Sequence, residues 1–310
     1  MYRLADETAG GQIRFHGKLK TLAIQVSLTS KPGFFAEVKS PHLAWTSRSS
    51  FDLYLSSDGK DYVFYGVAKD EVDENEKFYT HKFLEFDEEK EFDLLLNFPL
   101  YVGVDTVLIE VNEDAEISAP LYRFKDNKKI VIYGTSIQQG GCARRQEMCM
   151  SNLLSRWLDR EVYNLGFNSS GKGEEEVAEV IAGIANIVTL IISIEGNCPD
   201  GEWLYEKLRE FICIFRQRQP NMPIVVMPFM ICGREILHSG LMGKRMELRK
   251  IQARIVEDFC AAGDNNLYLF IPDVNKNKVK SHSVWHECTV DGLHYNDLGS
   301  TGGQRICVNI

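Results

Sequence analysis

No apolar run in the sequence approaches the roughly 18 residues that a membrane-spanning helix requires, so no helical membrane span is expected. The opening, MYRLADETAGGQ, lacks both the basic cluster and the apolar core of a secretory leader. The chain as it stands is therefore expected in the cytoplasm, and in an exported or periplasmic setting if a leader was trimmed. Basic charge is scarce: 35 lysines and arginines stand against 44 aspartates and glutamates, a net charge of −9. Such a field repels polyphosphate backbones and anionic headgroups, which argues against nucleic acid and anionic membrane as partners. Cysteine is missing from the first third of the chain, and none of the eight (Cys142, Cys149, Cys198, Cys213, Cys232, Cys260, Cys288, Cys307) forms a Cys-x-x-Cys pair. A chain of 310 residues can bury a core without disulfides, so free, mostly buried thiols and a reducing compartment are expected.

The first third alternates with the period of a strand, in FDLYLSS from Phe51, DYVFYGVA from Asp61, EFDLLLNF from Glu91 and TVLIEV from Thr106. Pro32, Gly33, Pro41, Pro99 and Pro120 punctuate the stretch and helical periodicity is scarce, which predicts a small β-sandwich over residues 1–124. From Lys129 the pattern changes. Short apolar runs, IVIYG from Ile130, VYNLGF from Val162, IVTLIISI from Ile187, IVVMPFM from Ile224 and LYLFI from Leu267, now alternate with amphipathic segments. Continuous apolar strands predict a sheet covered on both faces, so residues 125–310 read as an α/β domain. Leu204, Leu208, Phe211, Ile212 and Phe215 form one helical stripe and Leu248, Ile251, Ile255 and Phe259 another, both read as packing faces. Glu174 to Glu176 put acid in the first turn of a further helix.

In such a sheet, ligands gather beyond the carboxyl ends of the strands. The loop after the first run, Gly134-Thr135-Ser136-Ile137-Gln138-Gln139-Gly140-Gly141, holds a serine that reads as a nucleophile or as a helix N-cap. A phosphate loop is excluded because no Gly-Lys-Ser/Thr follows the glycines. The second loop, Asn164 to Gly171, offers backbone N–H groups able to stabilise an oxyanion. The third puts Asn197 at the end of its strand, as a further donor or a turn residue. Last comes Asp291-Gly292-Leu293-His294, a spacing that lets the carboxylate fold back to Nδ1 and direct Nε2 outward. His282, His286 and Cys288 are spaced for zinc only if helical; with no helical stripe there, structural or solvated roles are preferred and no metal is assigned. Arg144 and Arg145 read as a solvated helix start, with a substrate carboxylate as the alternative partner, and Met230 to Gly243 reads as a long loop near the site.

Ser136, the Gly166 to Gly171 loop, Asn197 and Asp291-Gly-Leu-His294, in this order after successive strands, resemble the four blocks of the SGNH hydrolases, the GDSL-like lipases and acylhydrolases. KKIVIYGTSIQQGGCARR is similar to a subfamily with Gly-Thr-Ser-Ile in place of Gly-Asp-Ser-Leu. There a small β-domain with an Asp-Leu-Tyr motif precedes the hydrolase, as in Phe51-Asp52-Leu53-Tyr54. The resemblance implies a three-layer, flavodoxin-like parallel sheet and esterase chemistry with no cofactor. It implies Ser136 as nucleophile, His294 as base, Asp291 as its orienting carboxylate, and oxyanion donors from the N–H of Ser136, a second-loop N–H and the Asn197 amide. The second-loop donor falls on Ser169, where relatives have glycine; if the position needs φ > 0, serine is strained there and Gly171 is the alternative. After Asp297-Leu298-Gly299 relatives continue into a helix, whereas STGGQRICVNI carries no helical period. A carbohydrate bearing short acyl groups is the expected substrate. A lipase, thioesterase or general carboxylesterase, and a binding module with an impaired site, are the other readings.

Overall fold

The computed structural model describes residues 6–30, 42–68, 76–270 and 287–301. Its N-terminal part is one antiparallel sheet of β1 (Gln12–Leu28), β2 (Asp52–Ser56), β3 (Val63–Val67), β4 (Phe78–Asn97), β5 (Val104–Val111) and β6 (Glu116–Ser118), ordered β3-β2-β4-β1-β5 with β6 also on β1. Two of its strands are long, and the pairing of β1 changes along its length. Residues 16–18 of β1 pair with β6, Leu22–Leu28 pair with β5, and β4 runs beside both halves with register shifts near Leu19 and Leu22. One apolar cluster gathers Phe15, Leu19, Leu22, Ile24 and Leu28 with Phe51, Leu53, Leu84, Leu94 and Leu96. The small β-domain expected from the alternation is thus one continuous antiparallel ladder.

A short helix, α1 (Trp45–Arg48), lies between β1 and β2. Beyond residue 128 five parallel strands follow: β7 (Lys129–Gly134), β8 (Glu161–Gly166), β9 (Ile187–Ser193), β10 (Ile224–Val226) and β11 (Leu267–Leu269). Their order, β11-β10-β9-β7-β8, is the flavodoxin-like arrangement. The helices are α2 (Ser136–Gln139), α3 (Met150–Leu158), α4 (Glu175–Ala182), α5 (Gly201–Arg218), α6 (Gly233–Leu237) and α7 (Ser239–Ala261).

Strand residues alternate between two apolar clusters, which is why the runs are continuously hydrophobic. Val131, Tyr133, Leu190, Ile192, Ile224 and Val226 pack with α4, α5 and α7. Ile130, Ile132, Ile191 and Val162 pack on the other face with Met150 and Leu154 of α3. Leu204, Leu208, Phe211, Ile212 and Phe215 of the predicted stripe are all fully buried in α5.

Three expectations change. Residues 233–237 and 239–261 are helical, so Met230 to Gly243 is mostly α6 and the start of α7. Residues 297–301 are also helical, although two glycines follow; Asn296 starts the turn, its Oδ1 accepting the Gly299 N–H at 3.0 Å. Residues 302–310, with Cys307, lie outside the described residues, as do His282 and His286. The described thiols are free, but only Cys142, Cys149 and Cys232 are buried, while Cys213 and Cys260 are exposed.

Candidate active site

The order β8-β7-β9 puts the loops after β8 and β9 on either side of the carboxyl end of β7, where the strand order reverses and an open α/β sheet leaves a crevice. Ser136 opens α2 at that point. The capping role belongs to its neighbour: Thr135 is the N-cap, its Oγ1 accepts the Ile137 N–H, and Gln138 Oε1 accepts the Thr135 N–H at 3.0 Å. Ser136 is therefore released from capping. Its Oγ lies 2.9 Å from Nε2 of His294.

Asp291 holds that imidazole from both sides of its carboxylate. Oδ2 sits 2.7 Å from His294 Nδ1, and Oδ1 accepts the backbone N–H groups of His294 (2.8 Å) and Leu293 (3.0 Å). Burial works against the charge, but these donors and the imidazole outweigh it and hold the carboxyl at about 2. Asp291 is thus ionised through the neutral range. The loop itself is pinned: Cys142 N–H donates to the Tyr295 carbonyl at 2.7 Å and Arg144 N–H to Asp297 Oδ1 at 2.8 Å. Tyr101 adds a phenol that donates to the carbonyls of Ser136 and Gly141, at 3.2 and 2.6 Å.

The second loop turns through Ser169 at φ 60, the left-handed region that favours glycine. Gln139 Oε1 accepts the Asn168 N–H at 2.6 Å, which ties this loop to α2. Among the described residues, neither the Ser136 nor the Ser169 N–H has a protein acceptor. The Gly171 N–H does have one, Glu174 Oε1 at 3.1 Å, which corrects the reading of Gly171 as an alternative donor. Its role is steric: at φ +68, a Cβ would stand 2.0 Å from the Gly134 carbonyl oxygen. Glu174 likewise does more than face a helix dipole, since its carboxylate also accepts the Lys172 N–H and the Tyr133 hydroxyl.

Asn197 ends a 3-10 turn, Glu195–Asn197, and its Nδ2 donates to the Ser170 carbonyl, leaving one N–H of the amide for a ligand. Glu195, which the sequence did not single out, fixes that turn. It is buried and accepts from Phe229 N–H (3.0 Å), Gln252 Nε2 (2.7 Å) and the Arg245 guanidinium. Ser136, Ser169, Asn197, Asp291 and His294 are brought together at one end of the sheet. The Cys288 carbonyl accepts the Asn296 N–H at 3.1 Å.

Arg145 is partly buried and already partnered. Its guanidinium lies 3.5 Å from Asp52 Oδ2, 4.0 Å from the ring centre of Phe64, and donates to the Tyr54 hydroxyl. Asp52 and Tyr54 belong to the Asp-Leu-Tyr motif, so this motif grips the segment between α2 and α3. The same Asp52 carboxylate accepts the Glu147 N–H (3.0 Å) and Asn97 Nδ2 (2.7 Å), and Asn97 Nδ2 also reaches Glu147 Oε2 (2.9 Å).

A serine, a histidine and an aspartate in line beside unoccupied backbone donors are what acyl transfer needs, and comparison with known proteins places the chain in a class with that chemistry. Residues 127–305 match the GDSL-like lipase/acylhydrolase family, and the chain belongs to it. Its enzyme class is that of the carboxylic ester hydrolases. Residues 1–117 match GxDLY, the N-terminus of SGNH-hydrolase-type esterases, with Ser50 standing here at the glycine of that pattern. The structure resembles that of a GDSL-like lipase from Bacteroides ovatus, at 28% identity over 98% of this chain and 84% of that one, with a TM-score of 0.84. A salicylyl-acyltransferase from a tetracycline biosynthetic pathway shares the fold at 16% identity (97% and 81% covered, TM-score 0.70). So does a family two carbohydrate esterase from Clostridium thermocellum in complex with cellohexaose, at 12% identity (98% and 92% covered, TM-score 0.62). No curated protein matches the sequence.

Proposed function

We propose that the protein is a serine esterase that removes short, acetyl-like acyl groups from a carbohydrate through an acyl-enzyme. Residues 1–124 and 125–310 are its two domains. The observation that carries the reading is the unbroken chain from Ser136 Oγ through His294 to Asp291. Ser136 Oγ attacks the ester carbonyl as His294 Nε2 takes its proton. The imidazolium, held by Asp291, returns that proton to the leaving alcohol. The carbonyl oxygen, now anionic, is met by the N–H groups of Ser136 and Ser169 and by the free N–H of Asn197. Water then repeats the sequence on the acyl-enzyme and regenerates Ser136. No cofactor enters these steps.

The carbohydrate assignment is supported by the recurrence of the whole two-part arrangement in family two carbohydrate esterases, and by the absence from the sequence of a long apolar lid suited to lipid chains. The test is hydrolysis of p-nitrophenyl esters from acetate to laurate by the native chain and by Ser136→Ala. Activity highest on acetate and abolished in the variant is the expected outcome, followed by release of acetate from acetylated sugars. Preference for laurate replaces the carbohydrate reading with a lipid one. A folded chain whose Ser136 resists a fluorophosphonate is a binding module rather than an esterase.

A further inference from the structure

His42, just before α1, lies with its ring stacked on that of His294, centroids 5.1 Å apart and planes 13° from parallel. Cys142, three residues after the end of α2, completes a group of three. A ring nitrogen of each histidine and the Cys142 sulfur all lie within 4.8 Å of one another. Neither His42 nor the Cys142 thiol has a place in the acyl-transfer steps above. Their chemistry is nonetheless specific, because two imidazoles and one thiol are the donor set of a borderline-soft divalent cation, with a fourth position left for water.

We propose that His42, Cys142 and His294 form an inhibitory zinc site that switches the esterase off. Zinc bonds of about 2.0–2.3 Å at tetrahedral angles put donor atoms about 3.5 Å apart, so the three groups close by roughly 1 Å, within the reach of side-chain rotation. Both nitrogens of His294 are engaged, one by Ser136 and the other by Asp291. Whichever one turns to the metal gives up a partner that proton transfer needs, so zinc and turnover exclude each other. Burial and the neighbouring His294 hold His42 below the usual histidine range, which keeps its imidazole neutral as a ligand must be. Burial, helped by Asp291, pushes the Cys142 thiol up to about 12, so the Zn–S bond forms against that cost, with the S–H proton released to solvent.

The binding half of this inference stands without the esterase reading; the inhibitory half rests on it, and two readouts separate them. The chelator-washed full chain is titrated with Co²⁺, whose thiolate complexes show an intense sulfur-to-metal charge-transfer absorption, and separately with Zn²⁺ during hydrolysis of p-nitrophenyl acetate. The expected result is that absorption in the native chain and its loss in Cys142→Ala. Zinc inhibition should be reversed by EDTA and weakened at least tenfold, relative to each variant's own metal-free rate, in both Cys142→Ala and His42→Ala, while Mg²⁺ has no effect. Absence of the charge-transfer band overturns the site whatever the turnover. Zinc inhibition of equal potency in all three proteins, or cobalt binding without zinc inhibition of an active enzyme, overturns its inhibitory role.

Discussion

Ser136 is available because Thr135 does the work that a serine at a helix start usually does. A Thr-x-x-Gln capping box occupies the first donors of α2, and the adjacent hydroxyl is left to His294. Asn197 shows the same division at a single side chain: one amide N–H holds the Ser170 carbonyl, and the other is the proposed oxyanion donor. Replacing Asn197 by Ala removes one oxyanion donor and one tie between loops. Turnover should fall about 10²- to 10³-fold with little change in KM, as measured by steady-state kinetics on a short-chain ester. An equal loss in kcat/KM with kcat unchanged would instead mark Asn197 as a ground-state binding residue.

The loop after β8 shows how an element is held against another by what it lacks. Gly171 has no Cβ, so its backbone approaches the Gly134 carbonyl at the end of β7, and Glu174 secures the turn through the Gly171 and Lys172 N–H groups. Gly171→Ala forces a side chain into both a left-handed backbone and a carbonyl oxygen. A loss of about 2–4 kcal/mol is expected in a denaturant titration, with turnover falling as the Ser169 N–H is displaced. The loop after β9 is held in the opposite way, by a buried carboxylate: Glu195 collects donors from Phe229, Arg245 of α7 and Gln252 of α7. Within 230–243, a stretch whose sequence reads as a loop, α6 starts where Glu235 returns to the Cys232 N–H at 2.8 Å, a capping interaction masked by the flanking glycines.

At the scale of the molecule, the N-terminal sheet meets the α/β part through buried polar groups. Asp52, Asn97, Glu147 and Arg145 link β2 and β4 to the segment that precedes α3. Burial, reinforced by the Asp52 charge and opposed by Arg156, pushes Glu147 up to about 7 from an ordinary 4.5. Below 4.5 the folded and unfolded chains both hold this proton. Between 4.5 and 7 only the folded chain does, so the contribution of Glu147 to stability falls as pH rises through that window and is level above it. Glu147→Gln cannot titrate. Its stability relative to the native chain should therefore improve by about 3 kcal/mol from pH 4.5 to pH 7 in parallel denaturant titrations. A pH-independent difference would show that Glu147 is ionised in the fold.

Local pattern and tertiary placement divided the determination of this protein. Strands β7, β8 and β9 and the buried stripe of α5 were legible because each depends on the burial of apolar side chains at a fixed period. Strand β1 is equally periodic, with Leu22, Ile24, Val26 and Leu28 buried at every second position and Ala23, Gln25 and Ser27 between them, but Arg14, Lys18 and Lys20 in its first half keep the run from standing out. Asp291 and His294 were legible because their contact spans three residues. What no local pattern contains is separation in sequence: Ser136 and His294 are 158 residues apart, and Asp52 meets Glu147 across 95. The same holds for Glu195 with Arg245, for Tyr101 under Ser136, and for His42 stacked on His294. Sequence alone determined the elements and the chemical types at their ends, since periodicity and turn chemistry act over a few residues. Only the tertiary structure decided which ends meet, because that follows from the order β8-β7-β9 and from the docking of β2 and β4 on the segment between α2 and α3.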